Sequence, residues 1–161
     1  MAKKKSSSDS KKLGASIVNR RARFDYAFEE TLETGIVLVG SEVKSIFNGL
    51  VNLTDSFCKI ENGELWMYEA DIAPYEKSSI YAPDRRRKRK LLAHKKQIET
   101  FERKSLAKGF SIIPSKVYFN ARGKVKVEVA LGRGKKQYDK RAQIQEREQR
   151  RELDRELSRR N

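Results

Sequence analysis

The sequence predicts a mainly β protein: an antiparallel β-barrel with short flanking helices and a basic C-terminal tail outside the core. Three observations carry this prediction. Asn62-Gly63 lies between two apolar runs, which is the strongest short-range hairpin signal. Ala121-Arg122-Gly123 separates a second pair of runs rich in β-branched and aromatic residues. Within the last run, Val125, Val127, Val129 and Leu131 alternate with Lys124, Lys126, Glu128 and Ala130. That period of two belongs to a strand with one face toward a core.

The elements follow in order. Residues 1–15 are Lys/Ser-rich with a single leucine, cannot bury apolar surface, and are expected to be disordered. Phe24 to Glu30 and Gly35 to Val39 read as two strands. Ser41 is expected to cap a short helix from Glu42 to Asn48, with Val43, Ile46 and Phe47 inward and Gly49 as its left-handed stop. Ser56 to Glu61 and Glu64 to Asp71 form the first hairpin. Residues 73–90 hold two of the three prolines and read as a loop, after which Leu91 and Leu92 return to the core. His94 to Leu106 reads as a helix with Ile98, Phe101 and Leu106 inward, ended by Gly109. Ser111 to Phe119 and Lys124 to Leu131 form the second hairpin. A helix interrupting the strand order favours an OB-like antiparallel barrel over residues 16–133.

The tail, residues 134–161, has no Gly or Pro after Gly134, so nothing forbids a helix. Glu146 with Arg150 and Glu156 with Arg160 are favourable i,i+4 pairs. Its apolar anchors are few, chiefly Ile144, Leu153 and Leu157. A helix polar nearly all round is marginal alone, so the tail is expected to be disordered when free and helical on a charged partner.

The chain has 161 residues with 37 Lys/Arg against 22 Asp/Glu, a net charge of +15. Residues 1–23 carry +7 and residues 133–161 carry +5, so the two ends hold most of the excess. Arg85 to Lys90 is an unbroken run of six cations. Three such concentrations point to a polyanionic partner, with nucleic acid first. A membrane surface would need a basic amphipathic helix with a large apolar face or a lipidation motif, and neither is present. No run approaches the roughly 20 apolar residues of a membrane span, and the N-terminus lacks the apolar segment of a secretory signal. One cysteine, Cys58, excludes an internal disulfide and suits a cytoplasmic protein. With one histidine, His94, it also excludes a Cys/His zinc site within one chain.

Catalysis finds little support. Cys58 falls in a predicted strand and reads as packing. His94 opens a helix beside Lys95 and Lys96, where capping or RNA contact fits better than base chemistry. Asp25, Glu29, Glu30 and Glu33 could in principle hold a divalent ion for a nuclease, but strand alternation would divide them between faces. Neither GxxxxGK[ST] nor GxGxxG occurs. Aromatics do stand beside cations, in Arg23-Phe24-Asp25-Tyr26, Lys116-Val117-Tyr118-Phe119 and Lys135-Lys136-Gln137-Tyr138. Such pairing suits unstacked or loop bases of RNA, although Phe24, Tyr26 and above all Phe119 also fit a barrel core. No helix-turn-helix, zinc finger or basic zipper is present to read a major groove.

Several motifs, in this order and spacing, resemble the SsrA-binding protein (small protein B) family of bacteria. They are Asn19-Arg20-Arg21-Ala22-Arg23 followed by Tyr26, Glu33-Thr34-Gly35-Ile36 and Gly40-Ser41-Glu42-Val43-Lys44-Ser45. Asn52-Leu53-Thr54-Asp55-Ser56, Ile60-Glu61-Asn62-Gly63-Glu64 and Pro74-Tyr75-Glu76 continue the match. Arg89-Lys90-Leu91-Leu92, His94-Lys95-Lys96 and Gly134-Lys135-Lys136-Gln137-Tyr138-Asp139-Lys140-Arg141 complete it. Ala93 stands where the family often has a third leucine, Gln145 where a lysine is usual, and the last dozen residues follow no family pattern.

The resemblance implies an OB-type barrel that binds the tRNA-like domain of transfer-messenger RNA. With elongation factor Tu it would bring that RNA to stalled ribosomes for trans-translation. It implies RNA contacts at Asn19, Arg20, Tyr26, Glu33, Leu91 and Lys126, to which the matching motifs add Arg21, Arg23, Lys44 and His94. The tail would become helical in the small-subunit decoding centre and messenger channel. Lys135, Lys136, Tyr138, Asp139, Lys140, Arg141 and Ile144 would act there, Tyr138 by stacking. A cytoplasmic monomer with no cofactor and no catalysis is expected. The alternatives are a general basic OB-type ribosomal or single-stranded RNA-binding protein and a metal-dependent ribonuclease.

Overall fold

The computed structural model describes residues 14–78 and 82–160. The expected disorder of the N-terminus therefore lies, for residues 1–13, outside the described residues. The elements are β1 (Ile17–Val18), α1 (Arg20–Asp25), β2 (Tyr26–Ile36), α2 (Gly40–Phe47), β3 (Val51–Asn52), β4 (Phe57–Glu61) and β5 (Glu64–Tyr68). They continue as β6 (Asp71–Ile72), β7 (Arg89–Leu92), α3 (Lys95–Lys108), β8 (Ser111–Phe119), β9 (Val125–Gly134) and α4 (Gln137–Arg160).

The pairings are antiparallel and run round a ring: β8 to β4, β5, β7, β2, β9 and back to β8. The ring has one thin seam. β4 and β8 share a single ladder position, Cys58 opposite Ile112, whereas β2 and β9 pair from Tyr26–Gly134 to Gly35–Lys126. The expected OB-like architecture is there, but as a ring of strands rather than a fully laddered barrel. β1 extends β8, and β3 pairs separately with β6.

Both hairpins form as the turn signals require. Asn62 and Gly63 both have positive φ, 52° and 75°, the pair of left-handed residues that a two-residue hairpin turn needs. Val127, Val129 and Leu131 of β9 are buried to 1% exposure or less and meet Leu65, Met67, Leu91 and Ile46 in one core. Ala130, on the opposite face, is also fully buried, so β9 is covered on both sides at that level.

Several sequence expectations are corrected. The segment from Phe24 is not two strands. Asn19 starts a short helix instead, its Oδ1 accepting the Ala22 N–H at 3.0 Å, and β2 then runs unbroken through Gly35. Gly35 does not begin a second strand but lies inside β2, where a Cβ would stand 3.3 Å from the Leu92 Cβ on β7. Val37 to Val39 lie outside the strand. Helix α2 is capped by Glu42, whose Oε2 accepts the Val39 N–H at 3.1 Å, and not by Ser41. Its Phe47 is 53% exposed and Leu106 of α3 is 79% exposed, so neither enters the core. Gly14 and Ala15, read as part of the disordered leader, are tied to the body. The Ala15 N–H donates to the Phe47 carbonyl, and a Cβ at Gly14 would strike the Phe119 ring at 2.8 Å.

The tail too departs from expectation. It is a continuous helix of 24 residues in the free chain. Its first turns are held to the body: Lys140 reaches Asp25 at 3.0 Å, the Lys135 N–H donates to the Asp25 carbonyl at 2.9 Å, and Lys135 Nζ donates to the Arg23 carbonyl. A docked first turn removes the nucleation cost that makes a lone polar helix marginal.

The fold has one buried ionic centre. Arg89, 1% exposed, gives Nε and Nη2 to Glu42 Oε1 at 2.9 and 2.8 Å, and Nη1 to the Ala70 and Arg87 carbonyls. Arg87 binds the same carboxylate through both Nε and Nη2. Burial pushes the Glu42 carboxyl up. The hydrogen bonds from Arg87, Arg89 and the Val39 N–H outweigh it, and the pKa falls below its ordinary 4.5. Glu42→Gln leaves Arg89 buried and unpaired and is expected to cost about 3–5 kcal/mol in urea unfolding. Because the folded pKa is depressed, the carboxylate's contribution is complete above the unfolded value and lost as pH falls through the folded one. The gap between the natural chain and this variant should therefore narrow from about pH 5 downward.

Candidate nucleic-acid interface

The cation run Arg85 to Lys90 is the loudest charge signal in the sequence, and the fold neutralises it. Arg85 pairs with Asp71 at 2.8 Å, Arg86 with Glu69 at 3.6 Å, Lys88 with Glu61 at 3.8 Å and Lys90 with Glu64 at 2.5 Å. Arg87 and Arg89 share Glu42. Six cations thus meet five carboxylates, and the run is a structural seam. This corrects the reading of the run as a free polyanion-binding patch.

Free chemistry gathers on the outer face of the sheet. Ladder partners across β7, β2, β9 and β8 put Leu92, Gly35, Lys126 and Tyr118 in one row. Cross-strand partners share a face, and residues two apart along a strand do too. Glu33, Glu128 and Lys116 therefore make the neighbouring row on that face. Tyr118 donates its hydroxyl to Glu33, and Lys116 Nζ stands 4.7 Å from the Tyr118 ring centre. Burial, then the hydrogen bond to Glu33 and the nearby Glu33 and Glu128 charges, push the Tyr118 phenol up to about 12. It stays a neutral donor with a π face. A shallow groove of about 430 Å³ lies beside the row, lined in part by Gly35, Leu92, Lys124 and Lys126.

Glu33 and Lys126 are thus brought together, as the family motifs imply. Leu91 and Asn19 are not on the surface. Leu91 is 1% exposed and belongs to the core, while Leu92, one residue on, is 50% exposed and faces out. Asn19 is 3% exposed with its side chain spent: Nδ2 donates to the Leu53 and Pro114 carbonyls at 2.9 and 3.0 Å and Oδ1 caps α1. Both are corrected from RNA contacts to residues that position their neighbours. Strict alternation in β7 was the signal that could have singled out Leu92.

The remaining residues lie elsewhere. Arg20, Arg21 and Arg23 are exposed on α1, Arg21 paired with Asp25 at 2.8 Å. Half-buried Tyr26 opens β2, about 30 Å of strand from Gly35. Lys44 is exposed on α2 with Nζ 5.3 Å from the Tyr75 ring centre. His94 is exposed ahead of α3, its N–H donating to Gln97 Oε1. In the tail, Tyr138 is 80% exposed, Ile144 is 42% exposed, and Lys136, Asp139 and Arg141 are exposed. Lys135 and Lys140 serve as ties to α1.

The carboxylates of a nuclease do not converge. Asp25 binds Arg21 and Lys140, Glu29 binds Arg133, Glu30 binds Lys104 and Glu33 binds Tyr118. Among the described residues no group of three or more His, Cys, Asp or Glu side chains could hold a metal ion. Cys58 is buried, and burial pushes its thiol far up, so it is not a nucleophile. Among the described residues, no helix is long and apolar enough to cross a membrane.

Comparison with known proteins decides the family. The model of the SmpB protein family matches residues 16–159. The chain belongs to the SmpB family. The SsrA-binding protein of Moorella thermoacetica is 50% identical over 139 residues, covering 86% of this chain and 90% of the relative. That of Fervidobacterium nodosum is 48% identical over 130 residues, covering 81% and 87%. A solved SmpB structure, described as "tmRNA-SmpB: a journey to the center of the bacterial ribosome", superposes with a TM-score of 0.65 at 50% identity. It covers 76% of this chain and 85% of the other. The SmpB motifs read from the sequence thus identify the family, while the fold decides which of their residues reach the surface.

Adjacent leucines test that division in this SmpB chain. Leu91→Ala opens a core cavity and should lower unfolding stability by about 2–5 kcal/mol. Leu92→Ala, on the outer face, should change chemical-denaturation midpoints by less than about 0.5 kcal/mol equivalent.

Proposed function

We propose that this chain is an RNA-binding adaptor, not an enzyme. It binds the tRNA-like domain of transfer-messenger RNA and delivers it to stalled ribosomes for trans-translation. The observation that carries the reading is the outer row Leu92–Gly35–Lys126–Tyr118, with Glu33 beside it, on a chain of the SmpB family. Such a face supplies what folded RNA recognition uses: a cation for phosphate, an aromatic face for a base, and a carboxylate as acceptor for base or 2′-hydroxyl donors. SmpB bound with tmRNA is named in the solved relative, and SsrA binding in the curated ones, which supports the same partners here.

In this reading the barrel holds the RNA and the tail enters the small-subunit decoding centre and messenger channel. Lys136, Tyr138, Asp139, Arg141 and Ile144 are exposed for that purpose. Elongation factor Tu, carried with the aminoacylated RNA, is the further partner. The protein acts as a cytoplasmic monomer with no cofactor.

The deciding experiment is a competition titration near physiological salt. Labelled tRNA-like domain is challenged with elongator tRNA and with unstructured RNA of equal length. The adaptor reading requires strong preference for the first; equal binding to all three would make the chain a general RNA-binder. Lys126→Ala should lower the log–log salt slope by about 0.7–0.9, the release of counterions from one phosphate. Leu92→Ala should weaken binding without changing that slope. Truncation after Gly134 preserves the β2–β9 ladder and the outer row, so it should keep the preference for the tRNA-like domain and abolish peptide tagging on stalled ribosomes. A truncated chain that tags normally would overturn the role given to the tail.

A further inference from the structure

Outside the sheet face, four arginines without acidic partners among the described residues meet at one groove. A groove of about 960 Å³ lies between α1 and the stretch of α4 from Gln143 to Arg151. Arg20, Arg21 and Arg23 line it from α1, and Arg147 and Arg151 line it from α4, one helical turn apart. Among the described residues, Arg20, Arg23, Arg147 and Arg151 form no ion pair with a carboxylate, in contrast to the Arg85–Lys90 run. Phe24 adds an aromatic side chain to the same lining. Arginines that face each other across a groove with no counter-charge suit the phosphodiester backbone of RNA, with planar donors for the phosphate oxygens.

Neither helix makes this groove alone. The two are joined by Asp25, which takes Arg21 on its own helix and Lys140 on α4, and by the Lys135 bonds to the carbonyls of Asp25 and Arg23. We propose that the groove between α1 and α4 is an RNA-backbone site that exists only while the tail helix is docked. RNA bound there holds the tail against the body, and a docked tail strengthens RNA binding by the same factor, since coupling between two equilibria is reciprocal. The inference rests on the adaptor reading for the class of RNA it names.

The test compares two double variants of the full-length chain. Arg147→Gln with Arg151→Gln removes two charges from the groove. Arg155→Gln with Arg159→Gln removes two from the same helix beyond it. Binding is measured against salt with two probes, the tRNA-like domain and a hairpin of the small-subunit decoding region, which separate the sources of the backbone. Amide exchange across residues 140–151 is followed with and without each probe. With at least one probe, the groove pair should lower the log–log slope by about 1.4–1.8, and the outer pair should not. The same probe should slow exchange over 140–151 in the natural chain and the outer pair, but not in the groove pair. Equal effects of the two pairs would mean that diffuse tail charge does the binding, and would overturn the proposal. So would RNA binding that leaves α4 exchange unchanged. Failure of the adaptor reading shows separately, as loss of preference for the tRNA-like domain over elongator tRNA, and leaves the comparison of the two pairs intact.

Discussion

The buried Glu42–Arg89 pair is the constraint on which the rest of the structure depends. Removing a guanidinium and a carboxylate from water is costly, and the cost is recovered only when every donor finds an acceptor. Arg89 meets that condition: Nε and both terminal nitrogens reach Glu42 and the carbonyls of Ala70, Arg85 and Arg87. One side chain thereby fixes α2, the end of the β5–β6 segment and the chain entering β7. Glu42 does a second task in the same geometry, capping α2 at the Val39 N–H. The strand that follows, β7, then bridges β5 and β2, and through β2 the outer row of Leu92, Gly35 and Lys126 comes into register.

That centre also decides where free charge can be. Once the Arg85–Lys90 run is matched by acids from α2, β4, β5, β6 and the turn before β6, it adds little free charge, and the outer face carries Glu33 and Glu128 beside Lys116 and Lys126. A face of mixed sign repels an arbitrary phosphate backbone as much as it attracts one. In the proposed RNA-binding role such a face would favour an RNA that presents phosphate to Lys126 and a hydrogen-bond donor to Glu33 at the same time. Among the described residues, arginines without acidic partners remain on α1 and the tail, at Arg20, Arg23, Arg147 and Arg151.

What could be read in the sequence follows from how local each cause is. The Asn62-Gly63 and Gly123 turns, the β9 alternation and the α3 stop at Gly109 are decided within a few residues, and the structure has them. Family and function were legible because the motifs carry them in linear order. The misreadings share a non-local cause. Gly35 looks like the start of a second strand until β2 runs through it and β7 closes on it, and Asn19 looks like a polar surface residue until Leu53 and Pro114 supply its partners. Arg85 to Lys90 looks like a binding patch because its acids lie 14 to 47 residues away in the chain. Leu91 and Leu92 differ only in which way a strand's pleat turns them.

The tail shows the same rule from the other side. From Gln145 to Arg159 every residue of α4 is exposed, so nothing in its own packing explains a helix. What explains it is the anchor at its start. Asp25 sits where burial alone would push its carboxyl up, yet the hydrogen bonds from Lys140 and Arg21 hold it below its ordinary 3.8, so it remains an anion at any physiological pH. A permanent anion at the junction fixes the first turn through Lys140, and with nucleation supplied, each further Gln, Glu and Arg need only propagate. A helix built this way keeps its polar surface wholly free for a partner. Its docking rests on a half-buried ionic junction and two bonds from Lys135 to carbonyls of α1, and not on a fully buried seam.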